Sequence, residues 1–446
     1  MKFSGSAVLI SFCLANLANL TSASGAQAAE IPTLSWKESV QRAAEQNGEL
    51  RSAMAAREAT HNQEGVARSG FLPSLTASMG ITESSGGGGG TVVGAGSSGG
   101  GASLVVTGSS NGSTTYSATL SGSQNLFNGL QDYGKVKQAK ANTRAQDANV
   151  AAVKAKVSND LKSSFEGVVY ANESVKLTEE IIHRRADNLR LVELSFESGR
   201  ENKGSELLSR ANLEQAKYDD LQAHNARGVA KAQLARVLGF DNPEDFEIRD
   251  SVPIQEPVPV TDFKELALST PDHLQAKAQE ESANDAITVA RSGFFPALNL
   301  TGTAGKQGTQ FFPQTDRWSA GLTLSLPFFS GGRDFYGTRG ATETWIASSN
   351  TLYNTDRQVL AKLKLAYSAY VEAVAKLKVD RGFRDATMLR AEIARSKYNN
   401  GLLSFEDWDI IENDLITRQK TYLISQRDRV TAEAAWEQAQ GKGAVP

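Results

Sequence analysis

The chain has 446 residues, 40% of them hydrophobic, and its 47 basic and 50 acidic side chains leave a formal net charge of −3. Proteins that grip phosphate backbones normally carry a clustered basic excess, so this balance argues against a nucleic-acid-binding protein. The single cysteine, Cys13, and four scattered histidines cannot build a disulfide framework or a metal cluster, so we predict no metal site and no cofactor.

The first 28 residues are predicted to be a signal peptide. Lys2 precedes an apolar stretch over residues 7–20, and small residues ending in Ala26-Gln27-Ala28 follow it. This order is typical of exported proteins. The apolar stretch is too short for a membrane-spanning helix, and no later stretch is apolar enough for one. We therefore expect an exported protein that does not cross a bilayer by helices.

The sequence contains an internal duplication. Residues 68–75 (RSGFLPSL) recur as residues 291–298 (RSGFFPAL), a displacement of 223. Residues 126–129 and 196–199 recur 202 positions later, so the first copy holds about 21 extra residues where a Gly-rich tract lies. We predict a first structural repeat over residues 29–239, an equatorial linker over 240–261 and a second repeat over 262–446.

Each repeat is predicted to contain one very long helix. No proline occurs between residues 129 and 198. Apolar residues recur there at every seventh position, which is typical of coiled coils: Leu161, Val168, Val175, Ile182, Leu189 and Phe196. The counterpart over residues 333–400 loses this pattern at Arg381, Gly382 and Arg384, which we interpret as a change of packing partner. Helices of this length would extend about 105 Å.

Shorter helices are predicted over residues 36–68, 205–239, 262–291 and 406–440. Laid end to end in pairs, they match the length of one long helix. The segment between the second and third, residues 241–260, is rich in proline and acidic residues, which favours a linker that crosses the middle of the rod.

Four segments are predicted to be strands: residues 74–82, 116–126, 298–304 and 318–326. Each alternates apolar and polar side chains, and about nine to eleven residues is the length of membrane β-barrel strands. Aromatic residues at the two strand ends predict two interfacial girdles: Phe71, Phe127, Phe294, Phe295, Phe328 and Phe329 near the helices, and Tyr116 and Trp318 at the far ends. Four strands cannot close, so we expect other copies of the chain to complete the barrel, and three copies give a lumen. An ordinary soluble hairpin packed on helices is the alternative.

The Gly-rich tract contains residues 94–99, which fit the pattern G-x-G-x-x-G. A phosphate-binding loop of this kind needs a preceding strand and a following helix, and neither is predicted. We therefore expect a flexible loop that faces the exterior.

Two turns follow the long helices: Phe196-Glu197-Ser198-Gly199-Arg200, and Tyr398-Asn399-Asn400-Gly401-Leu402 with Phe405-Glu406-Asp407-Trp408-Asp409-Ile410 after it. Together with the duplicated plan and the Phe-x-Pro-x-Leu strand entry, they resemble the TolC family of outer-membrane efflux channels, over essentially the whole mature chain. The resemblance implies a mainly α protein with a membrane β-barrel contribution. It would form a homotrimer with a twelve-stranded barrel in outer-membrane lipid and a twelve-helix periplasmic tunnel. Its closed tip would dock the periplasmic adaptor (membrane fusion protein) of an inner-membrane RND or ABC pump, and would open as the coiled coils uncurl.

The same resemblance places functional residues at the tip. Gly199, Arg200, Gly401 and Leu402 fall on the adaptor-docking turns, with Arg200 where the family usually has an apolar residue. Glycine there is also an ordinary helix C-cap. Gate positions near the constriction are Glu406, Asp407 and Asp409, with Ser205 and Glu206 at the first tip. Acidic residues in a first helical turn are also ordinary partners of the helix dipole, so gate and cap both stay open.

The predicted function is a passive exit duct for drug efflux or type I protein secretion, located in the outer membrane with a large periplasmic portion. No phosphate loop, nucleophile or acid–base pair indicates an enzyme. The alternative is a surface-exposed coiled-coil structural or adhesive protein whose Gly-rich loop makes contacts; a periplasmic enzyme is the least supported reading.

Overall fold

The computed structural model describes residues 33–85, 112–242 and 246–446, so the predicted signal peptide and the Gly-rich loop lie outside the described residues. The elements follow in this order: β1 (Thr33–Leu34), α1 (Trp36–Gln46), α2 (Gly48–Ser69), β2 (Ser74–Ser85), β3 (Gly112–Asn128), α3 (Gln131–Glu197), α4 (Lys203–Leu238), β4 (Glu247–Ile248), α5 (Phe263–Leu268), α6 (Pro271–Arg291), a 3₁₀ turn (Ser292–Phe294), β5 (Ala297–Gly308), β6 (Thr315–Ser325), α7 (Arg333–Asn399) and α8 (Phe405–Ala439). The protein is mainly α, with one four-stranded antiparallel sheet.

The helices α3 and α7 have 67 residues each, which corresponds to about 100 Å. Helix α3 packs against α2 and α6 along the half nearest the sheet and against α4 and α8 along the other half, whereas α7 packs against α6 and α8. The predicted long helices therefore agree with the structure within two residues at each end.

Two of the predicted shorter helices are each divided in two. The predicted helix over residues 36–68 breaks at Asn47, whose side chain accepts the N–H groups of Glu49 and Leu50 and so caps α2. The predicted helix over residues 262–291 breaks before Pro271, the first residue of α6. Proline has no N–H and disfavours helix in the residue before it, so it begins a helix and cannot continue one.

The core near the middle of the rod is formed by side chains of α3, α4 and the linker. Leu161, Phe165, Leu234, Leu238 and Phe246 are fully buried there. The short strands β1 and β4 pair in parallel at the same level and join the start of the described chain to the linker. A second cluster around Leu363, Tyr370 and Trp436 packs α5, α7 and α8 together.

The sheet has the strand order β2-β3-β5-β6, and every neighbouring pair is antiparallel. Its strands are longer than predicted at the ends far from the helices, because the outer ends carry polar residues and glycine, which alternation of apolar residues does not mark. The two hairpins have the same strand register. Ser74 lies opposite Ser123 in the first hairpin, and the corresponding residues of the second, Ala297 and Ser325, are also opposite one another, at displacements of 223 and 202.

Candidate functional site

The two faces of the sheet differ completely in chemistry. Residues directly opposite one another share a face, so the register assigns each side chain. One face is mainly apolar, with Gln124 and, near its outer end, Glu83, Thr114, Lys306 and Asp316 as polar exceptions. Its apolar residues are Leu75, Ala77, Met79, Ile81, Tyr116, Ala118, Leu120, Leu298, Leu300, Ala304, Trp318, Ala320, Leu322 and Leu324. The other face is mostly hydroxyl and amide: Ser74, Thr76, Ser78, Thr82, Thr115, Ser117, Thr119, Ser121, Ser123, Asn125, Asn299, Thr301, Thr303, Ser319, Thr323 and Ser325.

Both faces are open to their surroundings in the single protomer. Met79 is 91% exposed and Trp318 is 81% exposed on the apolar face. On the other face, hydroxyls bond across strands, as Ser78 does with Thr119 at 2.8 Å. A sheet of this kind suits hydrocarbon on one side and water on the other, which is the alternation of membrane barrels.

Aromatic side chains lie near the two ends of the apolar face, and their role as interfacial girdles stays a prediction. Those nearest the helices are 40% to 98% exposed: Phe71, Phe127, Phe294, Phe295, Phe328 and Phe329. At the far end, Tyr116 packs edge to face on Phe311, and Phe311 packs on Phe312. The sequence reading missed these two residues because they lie in the hairpin turn. The adjacent pair of phenylalanines was the available signal.

The junction between the sheet and the long helices is built on paired left-handed residues. Gly129 has φ +65° and Gly331 has φ +64°. A Cβ on Gly129 would lie 2.6 Å from the carbonyl oxygen of Ser292, whereas one on Gly331 would meet nothing within 4 Å. The same turn is therefore crowded in one repeat and open in the other.

At the tip, both turns have the same backbone form. Gly199 and Gly401 have φ near +73° and +72°, and the N–H groups of Arg200 and Leu402 bond back to carbonyls five residues earlier. This is the Schellman form of helix end. Leu402 is 74% exposed. The predicted docking residues thus form two adjacent, exposed turns.

A groove of about 800 Å³ separates these two turns. It is lined by Ser195, Arg200, Glu201, Asn202, Ser205, Tyr398, Gly401, Leu402, Leu403, Ser404, Phe405 and Glu406. Tyr398 stacks on Trp408 at 4.2 Å between ring centroids. Burial, with the nearby Glu201, raises the pKa of Tyr398 to about 12. The groove therefore combines a stacked aromatic ring, Tyr398, with polar side chains from both turns.

The predicted gate residues have different surroundings. Glu406 and Asp407 are exposed, and Asp407 forms a cap in which its N–H donates to the Ser404 hydroxyl. Ser205 donates its N–H to Asn202, and Glu206 pairs with Lys203 and Arg210. The hydrogen bond from Lys203 lowers the pKa of Glu206.

Asp409 lies in a buried seam between α3 and α8. Its carboxylate accepts from Arg185 at 3.4 Å and from Asn212 of α4 at 3.0 Å. One turn further, Arg184 donates two hydrogen bonds to Glu412, at 2.5 and 2.9 Å. Glu412 is 1% exposed.

These ion pairs join the two coiled coils of one protomer near the tip. Burial lowers the pKa of Arg185, and Asp409 opposes this effect. Arg184, Arg185 and Glu412 were not predicted from the sequence. Two adjacent arginines within the heptad pattern of α3 could have indicated that its contact with α8 is polar there. The gate role of Asp409 stays a prediction, and its place in the protomer is this seam.

Within residues 33–85, 112–242 and 246–446, no group of three or more His, Cys, Asp or Glu side chains is arranged to hold a metal ion. In the same ranges, none of the helices combines the length and the apolar character needed to span a bilayer.

Several proteins with described roles are similar in sequence to this chain. The alkaline protease secretion protein AprF of Pseudomonas aeruginosa is 23% identical over 277 residues, which cover 59% of this chain and 56% of AprF. The solvent efflux pump outer membrane protein SrpC of Pseudomonas putida is 24% identical, and the match covers 58% of its length. The chain thus spans less than two thirds of these relatives. TolC of Escherichia coli is 23% identical over 72% of this chain and 65% of TolC.

Solved structures share the fold. The outer membrane channel MtrE of Neisseria gonorrhoeae superposes with a TM-score of 0.78 at 21% identity, covering 92% of this chain and 89% of MtrE. CusC gives the same TM-score at 17% identity, covering 91% and 92%. The family model described as outer membrane efflux protein matches residues 39–240 and 263–442. The chain therefore belongs to the outer membrane efflux protein family, and it is an outer-membrane protein.

Proposed function

We propose that this protein is the passive outer-membrane exit duct of a tripartite export system, and that three copies form the duct. The observation that carries this proposal is a four-stranded sheet with one mainly apolar face and two edge strands, β2 and β6, whose outer edges have no partner strand among the described residues. Unpaired backbone groups are not tolerated in hydrocarbon, so the edges must be met. Three sheets of four strands make a closed barrel wide enough for a lumen.

The duplication supports a specific register for the closure. Strands β3 and β5 already join the two repeats inside the protomer, with Ser123 opposite Thr301. The residue that corresponds to Ser123 in the second repeat is Ser325 of β6, 202 positions later. The residue that corresponds to Thr301 in the first repeat is Ser78 of β2, 223 positions earlier, so Ser325 should lie opposite Ser78 of the next copy. Both are serines on the hydroxyl face, so the new junction continues the chemistry of the old one.

The long helices support the same arrangement. Inside the protomer, α3 packs against α2, α4, α6 and α8, whereas α7 packs against α5, α6 and α8. If contacts between copies repeat those inside the protomer, the contact of α3 with α6 corresponds to a contact of α7 with α2 of the next copy. The contact of α3 with α8 likewise corresponds to a contact of α7 with α4 of the next copy. Three copies thus complete a ring of helices that continues the barrel.

The energy for export comes from partners in this proposal. The described residues offer exposed turns and a groove at the tip, which suit a docked adaptor. Relatives named for protease secretion and for solvent efflux support both cargo classes, small toxic compounds and secreted polypeptides. Glu406 and Asp407 are the exposed carboxylates closest to the tip turns on α8, and we assign the gate to them.

Disulfide trapping tests the closure. The double variant S78C/S325C should form a covalent trimer on a non-reducing gel, because directly opposed strand residues lie within disulfide reach. Cys13 lies in the predicted signal peptide, so no other thiol competes. The matched control M79C/S325C moves one cysteine to the lipid side and should stay monomeric on the gel. Equal trapping of both variants, or of neither, contradicts the proposed register.

Planar-bilayer conductance tests the duct and its gate. The purified trimer should form channels, and E406Q/D407N should raise the conductance and weaken block by multivalent cations, because three copies of each carboxylate would surround the opening. L402S, which adds no charge, should leave conductance unchanged and weaken binding of the adaptor. A protein that makes no channel, with or without these changes, would instead support the adhesive alternative.

A further inference from the structure

The hydroxyl face of the sheet carries almost no charge. Its described residues are Ser, Thr, Asn, Gln, Gly and the single Ala297, with one charged residue as the exception. The exception is Arg317 on β6, which shares this face with Ser319 and Thr323. Arg317 is therefore the single charged side chain on this face among the residues that the structure describes.

The surroundings of Arg317 leave its guanidinium open. Arg317 is exposed, and the residue opposite it on β5 is Gly305, which has no side chain. Within the described ranges, no carboxylate forms an ion pair with it. The neighbouring charges belong to the other face, where Lys306 and Asp316 pair at 3.4 Å.

The position of Arg317 is at the outer end of the strand. Strand β6 begins at Thr315, far from the helices, and Arg317 is its third residue. Trp318, next to it, lies on the apolar face in the far aromatic girdle. Because the apolar face must meet lipid, Arg317 points to the water-filled side of a closed barrel.

We propose that three Arg317 guanidinium groups form a positively charged binding ring for multivalent phosphate-type anions at the outer mouth of the barrel. This rests on the proposed trimeric duct. A guanidinium offers a planar pair of donors that fits phosphate oxygens. Neutral walls leave the ring uncompensated, and at low salt its field reaches across the mouth, because the Debye length is about 30 Å at 0.01 M. The ring also raises the local concentration of permeant anions there.

The ring has the opposite sign to the tip. The proposed gate at the other end of the duct carries Glu406 and Asp407, and the walls between Arg317 and the junction are neutral on the sheet. A multivalent anion and a multivalent cation should therefore block the same channel from opposite compartments.

The test uses the purified trimer, inserted into a planar bilayer from one side, with inositol hexakisphosphate as the probe in about 0.01 M salt. We expect block from one compartment only. R317Q should weaken this block at least about threefold, and R317K should retain most of it, since the charge remains. The matched control K306Q removes a cation at the same level on the lipid face and should leave the block unchanged.

The outcomes separate this inference from the function on which it rests. A wild-type trimer that conducts but is not blocked, or that is blocked equally after R317Q, overturns the ring and leaves the duct intact. A K306Q channel that loses block as R317Q does overturns the assignment to the lumen. A purified protein without conductance refutes the duct itself.

Discussion

The two long helices have the same length and very different burial. Helix α3 buries 21 of its 67 residues, and α7 buries nine. Ile181 of α3 is 5% exposed, whereas Phe383, its counterpart 202 positions later, is 48% exposed. One sequence plan thus yields a covered rod and an uncovered rod in one protomer. In the proposed trimer, the missing packing partners of α7 lie on the next copy of the chain.

The two seams beside these helices differ as well. Inside the protomer, Lys162 of α3 donates to Glu433 and Glu437 of α8 at 2.8 and 3.0 Å, with Glu433 only 2% exposed. The corresponding positions between copies lie 202 residues later on α7 and 202 residues earlier on α4. There, Lys364 would face Lys231 of the next copy.

The pairing of Arg185 with Asp409 becomes Thr387 opposite Leu207 in the same way. Neither ion pair of the inner seam is carried over. We therefore expect the seam between copies to be the weaker one, and the four tip helices of one protomer to move together.

The largest expected effect is a loss of stability at the ion pairs between α3 and α8 inside the protomer. E412A leaves Arg184 without its bidentate partner in a mostly buried position, which typically costs about 3 to 5 kcal/mol. Hydrogen exchange of the trimer should become much faster in α3 and α8 near the tip. R210A, at the transposed position of Glu412 on α4, removes an exposed guanidinium from Glu193 and from Glu206, which keeps Lys203 as a partner, so it should cost less than about 1 kcal/mol. Equal acceleration by both variants would contradict the difference between the seams.

The next effect compares the two junction glycines. G129A places a Cβ 2.6 Å from the Ser292 carbonyl oxygen at a left-handed backbone position, so it should destabilise the protomer by about 2 to 3 kcal/mol. Gly331 is open in the protomer, but the duplication places Ser69 of the next copy against it as Ser292 lies against Gly129.

G331A should cost the protomer only about 1 to 2 kcal/mol, the cost of a left-handed alanine, and it should lower the temperature at which the trimer dissociates on a gel. Circular dichroism of the folded protomer serves as the control for folding. A G331A trimer as heat-stable as the wild type would indicate that the contacts between copies do not repeat those inside the chain.

Much of this architecture is predictable from the sequence, because it depends on long-range periodicity. The heptad of α3, the strand alternation and the displacements of 223 and 202 residues each integrate many side chains. Local breaks at Asn47 and Pro271 were missed, although both residues carry known helix-start signals. Apolar periodicity continues across these breaks and hides them.

The tip shows where the sequence stops being informative. Turn glycines and a first-turn acid such as Asp407 are visible in sequence, because each acts on its own helix. The pairing of Arg185 with Asp409 joins residues that are 224 positions apart. Nothing in local spacing sets which acid pairs with α3 and which stays exposed, because that depends on the rotation of α8 about its axis.

The smallest of these effects is a pH dependence that α3 should show and α7 should not. Burial raises the pKa of Glu166 from 4.5 to about 7, and its neighbour Lys162 is already engaged by two other carboxylates. The folded chain therefore keeps the Glu166 proton between pH 4.5 and about 7 while the unfolded chain releases it, so stability falls as pH rises through this window. E166Q should raise the stability of the trimer by about 2 kcal/mol at pH 8 and change it little at pH 4.

The measurement is thermal unfolding at pH 4, 6 and 8. The transposed residue on α7 is Ser368, which does not titrate, so any effect of S368Q on stability should be the same at every pH. E179Q, an exposed acid on α3, controls for loss of charge alone. A gain from E166Q that is equal at pH 4 and pH 8 would show that Glu166 affects packing and not proton binding. If the stability gained from E166Q grows with pH, α3 contains a buried acid whose charge is not compensated by a neighbouring cation.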